Sequence, residues 1–236
     1  PLWVSNSPLD NPIYQAWVEA GQQAGHPLTD DFNGARQDGF GPYQRTMRDG
    51  VRWSASAGYL RDIVKTRPNL TVISNAMAHG VVFEGTRAVG VRYGSKPGAP
   101  PKIVRAEREV LVCGGAVQSP QLLQLSGIGE ADALRKLGID VVADSPDVGQ
   151  NLQDHLDVTV IHSCPEPVTA YSMQNGIKKL AVGLNYMFAK KGPGRENFLQ
   201  TGAFLKSREG LDRPDLQFHV VLAIMRDHGR VEPDAD

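Results

Sequence analysis

VLVCGGAVQSPQLLQLSGIG, residues 110–129, combines an apolar run, two glycine turns and a helix start within twenty residues. Val110–Cys113 is a continuous apolar run of the kind that makes a strand buried on both faces. Gly114-Gly115 breaks the run, and there the backbone can turn sharply or approach a ligand with no Cβ in the way. Ser119 stands where an N-cap belongs, and Pro120 where proline fits a first helical turn. Ser126-Gly127-Ile128-Gly129 closes the segment with a second glycine-bearing turn. A buried strand, a glycine turn and a helix N-terminus together form a place to hold a phosphate or pyrophosphate.

The totals bound what surrounds that place. The 236 residues suffice for one large domain or two smaller ones with a real core. With 41% hydrophobic and 22% charged residues the composition is that of an ordinary globular protein. A net charge of −1 and a pI near 6.7 lack the basic surplus of a nucleic-acid binder, so no nucleic-acid partner is expected. Cys113 and Cys164 make neither a disulfide framework nor a cysteine metal site, which favours a reducing compartment and a cytoplasmic location. No apolar run approaches the roughly 18–20 residues that span a membrane. The opening PLWVSNSPLDNP has no basic n-region and no apolar h-region, so it is no signal peptide, and the chain reads as an internal piece of a longer one.

Taken in order, residues 1–12 read as irregular. Ile13, Ala16, Trp17 and Ala20 mark a helix face over Ile13–Ala24, stopped by Gly25, and residues 27–44 carry loop chemistry. Ser54 caps a helix expected through about Val64. Strands are expected at Leu70–Ile73, Val81–Phe83, Ala88–Tyr93 and Ile103–Ala106, with turns at Gly85-Thr86 and 94–100, so that 81–93 forms a hairpin. Ala131, Leu134 and Leu137 mark a short helix whose last turn carries Arg135 and Lys136 and whose stop is Gly138. A polar loop, 147–158, leads to a strand at Val158–His162. Ile177, Leu180, Ala181, Leu184 and Phe188 predict an amphipathic helix, and strands are expected at Gln200–Lys206 and Leu216–Ala223.

Gly127-Ile128-Gly129 and Gly39-Phe40-Gly41 both lack the third glycine of a dinucleotide fingerprint, and no phosphate-loop lysine motif or HExxH occurs. The six histidines show no i, i+4 pair, so no metal is expected. Asp154-His155 is the one adjacent acid–imidazole pair, either an acid/base couple facing a ligand or a hydrogen-bonded pair within the loop. The 177–191 helix carries Lys178, Lys179, Lys190 and Lys191, which either meet anionic headgroups at the inner face of a membrane, peripherally, or solvate a helix packed on its own sheet.

Gly115-Ala116-x-x-Ser119-Pro120-x-Leu122-Leu123-x-x-Ser126-Gly127-Ile128-Gly129 resembles the second signature of the glucose–methanol–choline (GMC) flavin oxidoreductases at every defined position. The resemblance extends over DDFNGARQDGFGPYQRTMRDGVRWSASAGYL (30–60), VVFEGTRAVGV (81–91), GIDVVADSPDVGQNLQDHLDV (138–158) and FLKSREGLDRPDLQFH (204–219), and is strongest to the choline and primary-alcohol dehydrogenase branch. It implies an α/β plus α+β architecture, the middle part of a GMC-type FAD-binding domain joined to part of a sheet-and-helix substrate domain. The implied division is an irregular substrate-domain lead-in over 1–43, the middle of the FAD-binding domain over 44–158, and the first part of the main substrate-domain segment over 159–236. It implies FAD as cofactor, with Ala78, Gly114 and Gly115 as cofactor positions. It implies Asp157 facing a cationic group of the substrate and His219 positioning the alcohol. The implied reaction oxidises a primary alcohol, choline-like or aliphatic, to an aldehyde, with hydride passing to flavin N5 and a quinone or other acceptor taking the electrons. An oxygen-using oxidase, a lyase that keeps FAD without net redox chemistry, and a non-catalytic flavin-binding remnant are the alternatives. Nothing within residues 1–236 matches the family's glycine-rich start, its first signature or its proton-accepting histidine, so no catalytic residue is assigned here and the stretch by itself is expected to be inactive.

Overall fold

Asn11 and Pro12 open the first helix as a cap and a first-turn proline: the Asn11 side chain accepts from the Ile13 amide at 3.0 Å, and α1 runs Pro12–Gln23. The other main elements, in chain order, are β1 (Gly39–Pro42), α2 (Ala55–Tyr59), β2 (Met77–Glu84), β3 (Arg87–Gly94), β4 (Lys102–Arg105), α3 (Gly115–Leu125), α4 (Ala131–Lys136), α5 (Gly176–Ala189), β5 (Thr201–Leu205) and β6 (Leu216–His219). The structure, a computed structural model, describes residues 1–96, 98, 100–173 and 176–224; Pro97 and Ala99 of the expected 94–100 turn, His228 and the polar end lie outside the described residues. Contacts divide the chain into two compact units, residues 1–69 with those from 158 onward, and residues 70–157.

In the first unit an antiparallel sheet has the order β6-β5-β1. Its strand β1 falls within the 27–44 stretch expected to be loop. Glycine and proline usually punctuate, but here they admit close backbone: Gly41 sits opposite Gly202, and a Cβ on Gly41 would run into the Thr29 carbonyl. Residues 27–29 flank β1, with the Thr29 amide donating to Phe40 and the Phe40 amide to Pro27, both at 2.9 Å. Tyr14 of α1 is fully buried, and Trp17 packs its ring 5.2 Å from Phe40 and 6.0 Å from Phe218. Beneath lies a polar cluster: the buried Arg45–Glu196 pair, and Gln200, which accepts from the Leu9 amide at 2.9 Å and donates to Glu196 at 3.1 Å. Ser54 caps α2 as expected, but α2 ends at Tyr59 rather than near Val64. Gly58 weakens its last turn, and the Arg61 amide reaches back to Ser56, one residue out of helical register. Helix α5 forms with the expected face, yet Ile177 is 88% exposed, Phe188 82%, and none of its residues is buried. Among the described residues no helix is long and apolar enough to cross a membrane.

The second unit holds the antiparallel meander β2-β3-β4, turned at Gly85 with φ 60°. Helix α4 ends as its sequence directs, at Gly138 with φ 72° after Arg135 and Lys136. Helix α3 corrects the expected cap: it starts at Gly115 with Gly114 in the cap position, and Ser119 and Pro120 lie inside it. Ser119 Oγ turns back to accept from the Gly114 amide at 2.9 Å, so its capping chemistry acts five residues upstream. Three apolar runs expected as strands are not strands. Val110–Cys113 carries Leu111 at 75% exposure, Leu70–Ile73 carries Val72 and Ile73 at 51%, and Val158–His162 carries Val158 at 86%. A strand needs a ladder partner, and none of these runs finds one among the described residues.

Candidate functional site

Strand β2 and helix α3 make the two walls of a groove of about 790 Å³. The signature residue Ser126 ties them together. Its hydroxyl donates to the Leu122 carbonyl at 2.5 Å and accepts from the Val81 amide at 2.8 Å, so the end of α3 is fixed on the middle of β2. Gly127 has φ 88°, and a Cβ there would strike the Asp140 carbonyl, which lets 127–129 pass beside 142–144. The end of the signature, residues 126–129, therefore positions the walls and does not line the space between them.

Two of the three expected cofactor positions meet in that groove. Ala78 lies near the start of β2, opposite Tyr93, and Gly114 lies at the start of α3; both line it. Gly115 is the next residue, with φ 82° and open space where a Cβ would stand. Gln118 and Leu122 of α3, Met77 and Asn75 continue the lining. Among the described residues no lysine, arginine, aspartate or glutamate lines the groove, so this wall offers amides and apolar groups rather than formal charge.

His79, which composition and motif searching passed over, also lines the groove. It is the extra residue of a bulge, since Ala78 pairs with Tyr93 and Gly80 with Arg92. The signal that could have found it is a histidine inside the otherwise apolar run MAHGVVF, residues 77–83.

The expected substrate residues belong to different units. Asp157 is exposed at the end of the second unit. His219 ends β6 in the first, opposite Gly202, its ring stacked on Tyr43 at 5.0 Å and 28°. Tyr43 donates to the Phe218 carbonyl at 2.7 Å, and burial pushes its phenol up, only partly offset by the hydrogen bond from Gln217. Asp154 and His155 touch at 3.3 Å with both side chains more than nine-tenths exposed, a hydrogen-bonded pair of neighbours within the loop. Among the described residues no three His, Cys, Asp or Glu side chains converge as metal ligands would.

The profile of the GMC oxidoreductase family matches residues 1–157. Mitochondrial choline dehydrogenase of Mus musculus is 46% identical over 230 residues, covering 98% of this chain and 38% of that protein. Oxygen-dependent choline dehydrogenase of Brucella ovis is 44% identical over 230 residues, 98% of this chain and 41% of that protein. The chain thus spans about two fifths of the length of these curated relatives. Among solved structures, pyridoxine 4-oxidase from Mesorbium loti aligns with a TM-score of 0.79 at 27% identity, over 100% of this chain and 42% of that one. Formate oxidase shares the fold, with a TM-score of 0.80 at 22% identity over 95% of this chain and 43% of that one. A profile match over residues 1–157, carried on the shared fold, means that this chain belongs to the GMC oxidoreductase family.

Proposed function

We propose that the chain is part of an FAD-dependent oxidoreductase that converts a primary alcohol, choline or a close analogue, to an aldehyde. The observation that carries this reading is the groove that joins Ala78 to Gly114. Its size lies within the ~300–1,000 Å³ of small-molecule sites. Its walls, without formal charge among the described lining residues, and the unfilled space beside Gly115 suit a heterocyclic cofactor. Ala78, Gly114 and Gly115 would hold FAD there, residues 44–158 forming the middle of its domain and residues 1–43 and 159–236 parts of the substrate domain. When bound, FAD accepts a hydride from the alcohol carbon. Asp157 attracts the substrate's cationic group, and His219, steadied by its stack on Tyr43, orients the hydroxyl. The proton acceptor lies outside these residues, so the 236-residue stretch alone is inactive. A cytoplasmic location fits, with any membrane contact peripheral and made by the lysines of α5 and Lys190-Lys191.

The test uses the full-length enzyme under anaerobic conditions. Choline should bleach the flavin, whereas the isolated 236-residue chain supplied with FAD should show no bleaching; bleaching by the isolated chain overturns its assigned inactivity. Asp157→Asn should raise KM for choline by ~10–100-fold, the loss of a charge-assisted contact, and leave uncharged alcohols unaffected. Equal effects on both would sink the role given to Asp157.

A quinone or dye acceptor is the first reading for the electrons. The name of the Brucella ovis relative favours a second, oxygen as acceptor. Hydrogen peroxide formed in step with aldehyde would select it.

A further inference from the structure

We infer that Tyr43 is a positioning residue for the alcohol: its ring sets the plane of the His219 imidazole, so that the imidazole meets the substrate hydroxyl in one orientation. The inference rests on the role given to His219 above. His219 is exposed at the end of β6, and a histidine in such a place has two side-chain torsions to fix. The Tyr43 ring is stacked on it, centroids 5.0 Å apart and planes 28° from parallel. Because the imidazole stays exposed, this contact orders it more than it buries it.

Tyr43 can impose that order because it is itself held by backbone and hydroxyl alike. Its amide donates to the Gln200 carbonyl at 2.8 Å, and its carbonyl accepts from Ser7 Oγ at 2.6 Å. Its hydroxyl donates to the Phe218 carbonyl at 2.7 Å and accepts from Gln217 Nε2 at 3.4 Å. Gln217 and Phe218 directly precede His219, so ring and imidazole are fixed to the same strand. Gly202, opposite His219 in the sheet, leaves the space for this: a Cβ there would come within 2.4 Å of Tyr43 Cε2. Phe32 braces the ring further, with centroids 5.0 Å apart. An alcohol whose hydroxyl partner wanders loses rate, since the reacting carbon is less often aligned, while its affinity changes little.

Full-length enzyme is followed by anaerobic stopped-flow reduction of its flavin with choline. Tyr43→Leu removes the stacked ring and should lower the limiting reduction rate by about 10–100-fold, with the choline dissociation constant changed by less than about 3-fold. Tyr43→Phe keeps the ring, loses the hydroxyl bonds and should slow reduction by only about 2–5-fold. His219→Ala sets the scale, and in that background Tyr43→Leu should have no further effect. Reduction at the wild-type rate in Tyr43→Leu overturns the inference, and so do losses that multiply in the double variant. Should Tyr43→Leu fail to retain flavin, Tyr43→Phe decides in its place. A slowing that vanishes in the His219→Ala background supports the inference; an unchanged rate, or a slowing that persists there, overturns it. Choline leaving the wild-type flavin oxidised, or reducing His219→Ala undiminished, would remove the reading beneath the inference, and the inference with it. A slowed His219→Ala beside unaffected Tyr43 variants leaves that reading standing and strikes the inference alone.

Discussion

Ser126 joins the Leu122 carbonyl, one helical turn behind it, to the Val81 amide, 45 residues away. Ser126→Ala would leave that amide half-buried with no acceptor, and stability should fall by ~1–3 kcal/mol, read from urea unfolding. An unchanged midpoint would show that water replaces the hydroxyl. The turn at Ser126-Gly127 was legible in the sequence because glycine and serine mark turns; the bond to Val81 was not, because its acceptor and donor meet only in the folded unit. Two tyrosines add a dependence on pH. Burial pushes Tyr14 and Tyr43 above the ordinary phenol value of 10.0. A folded-state pKa raised above the unfolded one gives stability that is fully present below pH 10.0 and is lost as pH rises past it. Unfolding midpoints should therefore drop on the alkaline side of 10.0, and Tyr14→Phe should flatten the drop relative to its own neutral value. A flat wild-type profile there would contradict both shifts.

Among the elements, the hairpin β2-β3 was readable because alternation and a glycine turn lie within one short stretch. Strand β1 was not, because Gly-Phe-Gly-Pro carries turn chemistry and becomes a strand only when β5 arrives from the far end of the chain. The same physics explains the opposite error. Val110–Cys113, Leu70–Ile73 and Val158–His162 are apolar enough to be strands, but apolarity does not supply a ladder partner. Helix α5 sits between these cases: its period forms the helix, while what its apolar face packs against is not written in that period. The sheet of the first unit depends on small residues at its centre. A Cβ on Gly202 would meet the Phe218 carbonyl and come within 2.6 Å of the Tyr43 hydroxyl. Gly202→Ala should cost ~1–3 kcal/mol through overpacking, seen as a lower melting temperature. A neutral effect would mean that Tyr43 can swing aside without loss.

At the scale of the whole molecule, the two units differ in how far apart their partners lie in sequence. The second is a continuous stretch, residues 70–157, whereas Thr201 of the first bonds its hydroxyl to the Gly41 carbonyl 160 residues away. Local pairing closes small loops and forms early; distant pairing must first close a long one. In pulsed hydrogen exchange during refolding, amides of β2 and β3 should gain protection before those between β1 and β5. The reverse order would show that the first unit's sheet nucleates folding. What could be read in advance at this scale was family and architecture, since the signature at 115–129 is contiguous; the absence of formal charge among the described lining residues of the groove was not, because they come from 75–79, Ser95 and Gly98 on one side and from 114–125 on the other. That character bears on ionic strength. Counter-ions weaken attraction between charges and leave amide and apolar contacts almost untouched. Whatever grip this wall has on a cofactor will hold in concentrated salt, so any salt sensitivity of cofactor retention must arise elsewhere in the enzyme.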